Sequence, residues 1–191
     1  MTMFRPTLQV RRLTVLHGRT TAYDERFHNG INIIRGRNSS GKTSILDLLA
    51  YSLGAENIPW KQEALLCDNV SVEVLVNGSL LTLRRDITDN SQNPMYVFWG
   101  GMDQAQAAPV SAWETYPYRK SERKESFSQV LFRALEMPEV RGAAESNITM
   151  HQILRLAYSD QRTPASRLFR FEQFDTHDIR EAVGNLVCGL N

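Results

Sequence analysis

The residues best suited to chemistry are GRNSSGKTS, from Gly36 to Ser44: a glycine, four residues, then Gly41-Lys42-Thr43. This spacing builds a tight turn at a helix N-terminus. Backbone N–H groups in such a turn point inward, and the helix dipole adds partial positive charge, so phosphate oxygens are held by the main chain. Lys42 can then reach the terminal phosphates as a point charge, and the Thr43 hydroxyl can ligate magnesium. Gly36 and Gly41 stand where a Cβ would obstruct the backbone or the phosphate. A chance match in a glycine-rich turn is the competing reading. The flanks argue against it, because Ile31-Asn32-Ile33-Ile34 reads as a buried strand and Ile45, Leu48, Leu49 and Leu53 recur at helical spacing up to Gly54.

Binding a phosphate is not cleaving one. A P-loop ATPase also needs an aspartate at the end of a second buried strand and a group that orients water. No run of four apolar β-formers here ends in Asp or Asp-Glu. LTLRRD is interrupted by Arg84 and Arg85, and the SILDLL acid, Asp47, falls inside the P-loop helix itself.

The elements that must position the loop are legible in part. LQVRRLTVL, residues 8–16, is strand-like, and Gly18 to Asn29 reads as polar and turn-rich. SVEVLVNGSLLTLRRDI places two alternating runs around Asn77-Gly78, which predicts a β-hairpin. Residues 88–126 read as one or two short strands within a long surface excursion. Phe127, Val130, Leu131 and Leu135 form one helical face ending before Pro138. Met150 to Tyr158 reads as a short helix or strand. Asp175-Thr176 caps a last helix whose Ile179, Ala182, Val183, Leu186 and Val187 share a side.

Composition narrows the class. A length of 191 residues buries a real core, and 42% hydrophobic with 23% charged residues is ordinary for a globular chain. The 22 basic and 21 acidic residues nearly cancel, so a nucleic-acid partner would need a local patch. No run reaches the ~20 apolar residues of a membrane span, and the N-terminus lacks a signal-peptide core. Cys67 and Cys188 make neither a disulfide framework nor a metal quartet, which favours a reducing cytoplasm and small apolar roles for both. His17, His28, His151 and His177 have no ligand spacing.

With the P-loop and hairpin placed, the chain resembles the N-terminal half of an SMC-like ATPase head, the ABC-type superfamily of the SbcC-, RecF- and RecN-type double-strand-break repair ATPases. The resemblance rests on LQVRRLTVLHGRTT, FHNGINIIRGRNSSGKTSILDLLAYSLGA, the hairpin SVEVLVNGSLLTLRR, AYSDQRTP and DIREAVGNLVCGLN. It implies an α/β fold: a head lobe with a mixed sheet, an antiparallel hairpin and flanking helices. Residues 1–177 would be the lobe, with 88–147 a lineage-specific insertion, and 178–191 a helix leading to a coiled coil.

The resemblance implies that Gly36, Asn38, Ser39, Ser40, Gly41, Lys42, Thr43 and Ser44 wrap ATP. Arg19 would lie near the nucleotide. Gln161, in a glutamine loop, would join Thr43 on Mg2+. Ser39 departs from the glycine usual there.

The resemblance further implies that hydrolysis needs a C-terminal half carrying the signature motif and the acidic strand end, and that two heads sandwich ATP as a homodimer. DNA would be engaged by the assembled complex, in repair or in defence against phage or plasmids, with a nuclease or effector subunit as a further partner. No membrane is involved. The isolated chain should hydrolyse little. A self-contained P-loop NTPase or kinase, and a nucleotide-gated interaction module, are the alternatives. Trp113, Tyr116, Tyr118, Arg119, Lys120, Arg123 and Lys124 have the ingredients of a nucleic-acid or partner surface, diluted by Glu114, Glu122 and Glu125.

Overall fold

The computed structural model describes residues 6–56, 58–88, 93–121, 123–137, 148–159 and 176–189. Six strands form one sheet: β1 (Leu8–His17), β2 (Thr20–Arg26), β3 (Asn69–Val76), β4 (Ser79–Asp86), β5 (Met95–Phe98) and β6 (Glu114–Tyr116). They lie in the order β2-β1-β3-β4-β5-β6, and every pairing is antiparallel. Five helices accompany them among the described residues: α1 (Lys42–Ser52), α2 (Met102–Ala107), α3 (Phe127–Ala134), α4 (Met150–Ala157) and α5 (His177–Cys188).

Alternation sorts the sheet into two faces. Leu13, Val15, Val70, Val72, Val74, Leu81, Leu83, Met95 and Val97 are buried on one face, where they join Leu48 and Tyr51 of α1 and Phe127 and Leu131 of α3 in a single core. The opposite face carries Arg12, Thr14, Glu73, Thr82 and Arg84. There α2 docks by polar contacts: the Met102 N–H donates to Glu73 Oε2 (2.6 Å), and Arg12 donates to Asp103 Oδ1 (2.6 Å).

The hairpin predicted at Asn77-Gly78 is β3–β4, in register from Val76↔Ser79 to Asn69↔Asp86. Asn77 (φ 45°) and Gly78 (φ 86°) both take the left-handed backbone that a two-residue hairpin turn requires. The helices expected after the P-loop, at Phe127 and at Thr176 are also present, and the Met150 segment is helical.

Two expectations are corrected. Gly18 to Asn29 is not simply turn: it contains β2, an edge strand polar on both sides, in which Tyr23 alone is partly buried. The Ile31–Ile34 run is not a buried strand. It joins no sheet, and Ile31 and Ile33 are 84% and 71% exposed. The parallel pairing that would make the sheet mixed has therefore no strand to carry it among the described residues.

Candidate phosphate-binding site

The P-loop stands at the N-terminus of α1, and the rest of α1 explains why it is held there. The rear of the helix is pinned to the sheet. Tyr51 Oη donates to the Asp86 carbonyl (2.8 Å), and Arg85 donates from one terminal nitrogen to the carbonyls of Tyr51 and Ala55 (both 2.9 Å). The Arg85 guanidinium lies 3.8 Å from the Tyr51 ring centroid, and Tyr118 Oη donates to the Gly54 carbonyl (2.9 Å). Arg85 thus satisfies carbonyls at a helix C-terminus, where a cation also meets the negative end of the dipole. Burial holds its pKa below the ordinary arginine value and pushes the Tyr51 and Tyr118 phenols up.

The front of α1 is built differently. Gly41 is its cap residue with φ 86°, and among the described residues no side chain caps the first-turn amides. By contrast, Ser126 caps α3 by accepting from the Gln129 N–H, and Thr176 caps α5 by accepting from the Ile179 N–H. The first-turn donors of α1 are therefore oriented without a side-chain acceptor, which is what an anion needs. Ser40 N donates to the Arg37 carbonyl (3.3 Å), closing the loop, and a methyl added at Gly36 would collide with Ser40 Oγ. Ser39, at the position where glycine was expected from the resemblance, has φ 61°. The chain adopts the glycine-like conformation there with a serine, at a cost of about 1–2 kcal/mol.

Lys42 Nζ folds across the mouth of the loop, donating to the carbonyls of Gly36 (2.9 Å) and Arg37 (2.6 Å). Thr43 and Ser44 are half-buried in the first turn. The structure thus brings Gly36, Asn38, Ser39, Ser40, Gly41, Lys42, Thr43 and Ser44 together in one loop. Arg19 stands at the exposed tip of the β1–β2 hairpin, with no hydrogen bond or ion pair to the loop among the described residues. Gln161 lies outside the described residues.

Two further residues belong to this neighbourhood. Asp47 is 6% exposed on α1, one turn beyond Thr43, and its Oδ1 accepts from Tyr158 Oη (2.6 Å). Its signal in the sequence was an acid placed inside an otherwise apolar helical run.

The aromatic residues of the basic stretch are engaged internally. Tyr118 is 2% exposed. Trp113 packs on Phe98 (5.6 Å between centroids) and under Arg84, while Tyr116 Oη donates to Glu114 Oε2 (2.5 Å). Arg119, Lys120, Arg123 and Lys124 stay exposed, and Lys124 Nζ lies 5.6 Å from the Tyr116 ring centroid.

A phosphate loop at the head of a helix, packed on a strand sheet with helices on both faces, defines a P-loop ATPase-type domain. A family model described as an AAA domain matches residues 26–134, more than half of the chain, and the chain belongs to that family. The match runs from the end of β2 to the end of α3 and so takes in the loop, the hairpin and both short strands. No curated protein and no solved structure matches significantly. The chain is accordingly an ATP-binding domain of the P-loop ATPase type. No described helix is long and apolar enough to cross a membrane.

Proposed function

We propose that this chain is the ATP-binding half of an SMC-like head and becomes an ATPase when a complementary half covers α1. One observation carries this reading: the apolar Ile31–Ile34 run, outside the sheet, leads directly into the P-loop with two isoleucines in water. Beside it opens a groove of about 360 Å³ whose apolar lining is Leu8, Val10, Phe27, Ile34, Leu46 and Leu49, with Gln9, His28, Asn29 and Asn32 as its polar part. The sheet covers one side of α1, and the other side presents apolar surface that a second set of strands would bury.

In this reading Mg-ATP displaces the Gly36 and Arg37 carbonyls from Lys42, whose ammonium moves onto the terminal phosphates. The amides of residues 38–44 would hold the phosphate oxygens, and the Thr43 hydroxyl would ligate magnesium. Gln161 would complete the magnesium site. In support, the Tyr158 phenol, at the end of α4, donates to Asp47, one helical turn from Thr43. Arg19 serves as an exposed cation toward the nucleotide. The complementary half brings the acidic strand end and signature motif, two heads close around ATP, and the assembly acts on DNA in repair or defence.

The test is nucleotide binding and turnover by the chain alone and with its complementary half. Mg-ATP should bind weakly to the chain and turn over only after assembly, and Lys42→Ala should abolish both. Brisk hydrolysis by the isolated chain would instead favour a self-contained NTPase or kinase.

A further inference from the structure

The α4 helix is fastened to α1 at both ends, and the two fastenings set its direction. At its start, His151 Nδ1 accepts from the Glu56 N–H (3.0 Å), just past the end of α1. Nearby, a Cβ on Gly54 would lie 3.2 Å from that of Met150, so the backbones approach closely. At its end, Tyr158 donates to Asp47, in the second turn of α1. The two helices therefore run antiparallel, and α4 points its C-terminus at the phosphate pole.

From Asp47 to Thr43 is four residues, about 6 Å along the helix axis. Both lie on the same helix face. The side chains of α4 contribute little enclosed apolar surface at this end: Leu156 is exposed, and Ile153 and Leu154 are only partly buried. A hydrogen bond between a 6%-exposed carboxyl group and a phenol therefore contributes to the attachment at that point.

We infer that Asp47 and Tyr158 are positioning residues, a coupling pair that passes occupation of the phosphate loop from the first turns of α1 into α4. Neither touches the nucleotide. Phosphate drawn against the amides of Thr43 and Ser44 stiffens the front of α1, and Asp47 hands that order to Tyr158 and so to α4. The inference rests on the reading of residues 36–44 as the triphosphate site.

The experiment is hydrogen exchange on the 191-residue chain, with and without Mg-ATP, together with the melting temperature of each variant. In the wild-type chain, nucleotide should slow exchange in the first turns of α1 and, by about fivefold or more, in α4. In Tyr158→Phe, which loses only the hydroxyl, nucleotide should still protect α1 but no longer α4. Asp47→Leu deletes the acceptor from the other side and should give the same result.

The inference is overturned if α4 stays protected by nucleotide in either variant. It is equally overturned if α4 in the variants already exchanges freely without nucleotide and the melting temperature falls, since the pair would then be merely structural. Absence of any nucleotide effect on wild-type α1 would sink the phosphate-site reading first, and this inference with it.

Discussion

Arg85 takes a guanidinium into the core at 0% exposure, and its partners explain why the fold accepts it. It answers two carbonyls at the rear of α1 and lies against the Tyr51 and Tyr118 rings. Arg85→Ala leaves those carbonyls unanswered and opens a cavity, so it should cost about 3–5 kcal/mol in urea unfolding. Arg85→Met fills the space but not the hydrogen bonds and should cost about 1–3 kcal/mol. A methionine variant as stable as wild type would show that packing, not capping, is what the residue supplies. On the other sheet face, Arg12 grips Asp24 through Nε (2.7 Å) and a terminal nitrogen (2.6 Å), and reaches Asp103 with the other. That bond to Arg12 holds the Asp24 carboxyl below its ordinary value of 3.8. A depressed carboxyl stabilises the fold fully above 3.8, and the benefit is lost as pH falls through the folded value. Thermal melting followed from neutral to acid pH should therefore drop below about pH 4, and Asp24→Asn should start lower at neutrality and fall less steeply.

Among the elements, the β3–β4 hairpin depends on a two-residue turn, and its weak point is Gly78. At φ 86° an alanine is strained, so Gly78→Ala should cost about 1–2 kcal/mol in denaturant unfolding, whereas a position with ordinary φ would gain from the same change. This hairpin was legible because everything that specifies it is local: two alternating runs and a turn dipeptide. The P-loop was legible for the same reason. The edge strand β2 was not, since TTAYDER buries almost nothing and shows no alternation; only its ladder to β1 makes it a strand. Nor was α2, whose six residues MDQAQA are too few for periodicity and are held by Glu73 and Arg12, distant in sequence. The Asp47–Tyr158 pair spans 111 positions, and no spacing rule links residues that far apart. Ile31–Ile34 misled in the opposite direction. Its composition is that of a buried strand, but a strand is a relation between two segments, and among the described residues the second segment is missing.

At the scale of the whole molecule, that exposed run and the groove beside it are where the proposed half-head and a self-contained domain make different predictions. Ile31 and Ile33 already stand in water, so replacing both with lysine should leave the isolated chain's unfolding free energy within about 0.5 kcal/mol per site and its nucleotide affinity unchanged. If a complementary half adds strands here, each isoleucine is buried on assembly, worth about 1.5–3 kcal/mol. Ile31→Lys with Ile33→Lys should then weaken association by roughly a hundredfold or more, and the assembled ATPase should fail at the binding step, not in turnover per assembled complex. Titrating the complementary half against wild-type and doubly substituted chains, with turnover read at each point, separates these effects. Equal affinity for both chains would mean that this surface is not where the domain is completed. A large loss of stability in the isolated chain would mean that the isoleucines are already buried in solution, by this chain or by a second copy of it.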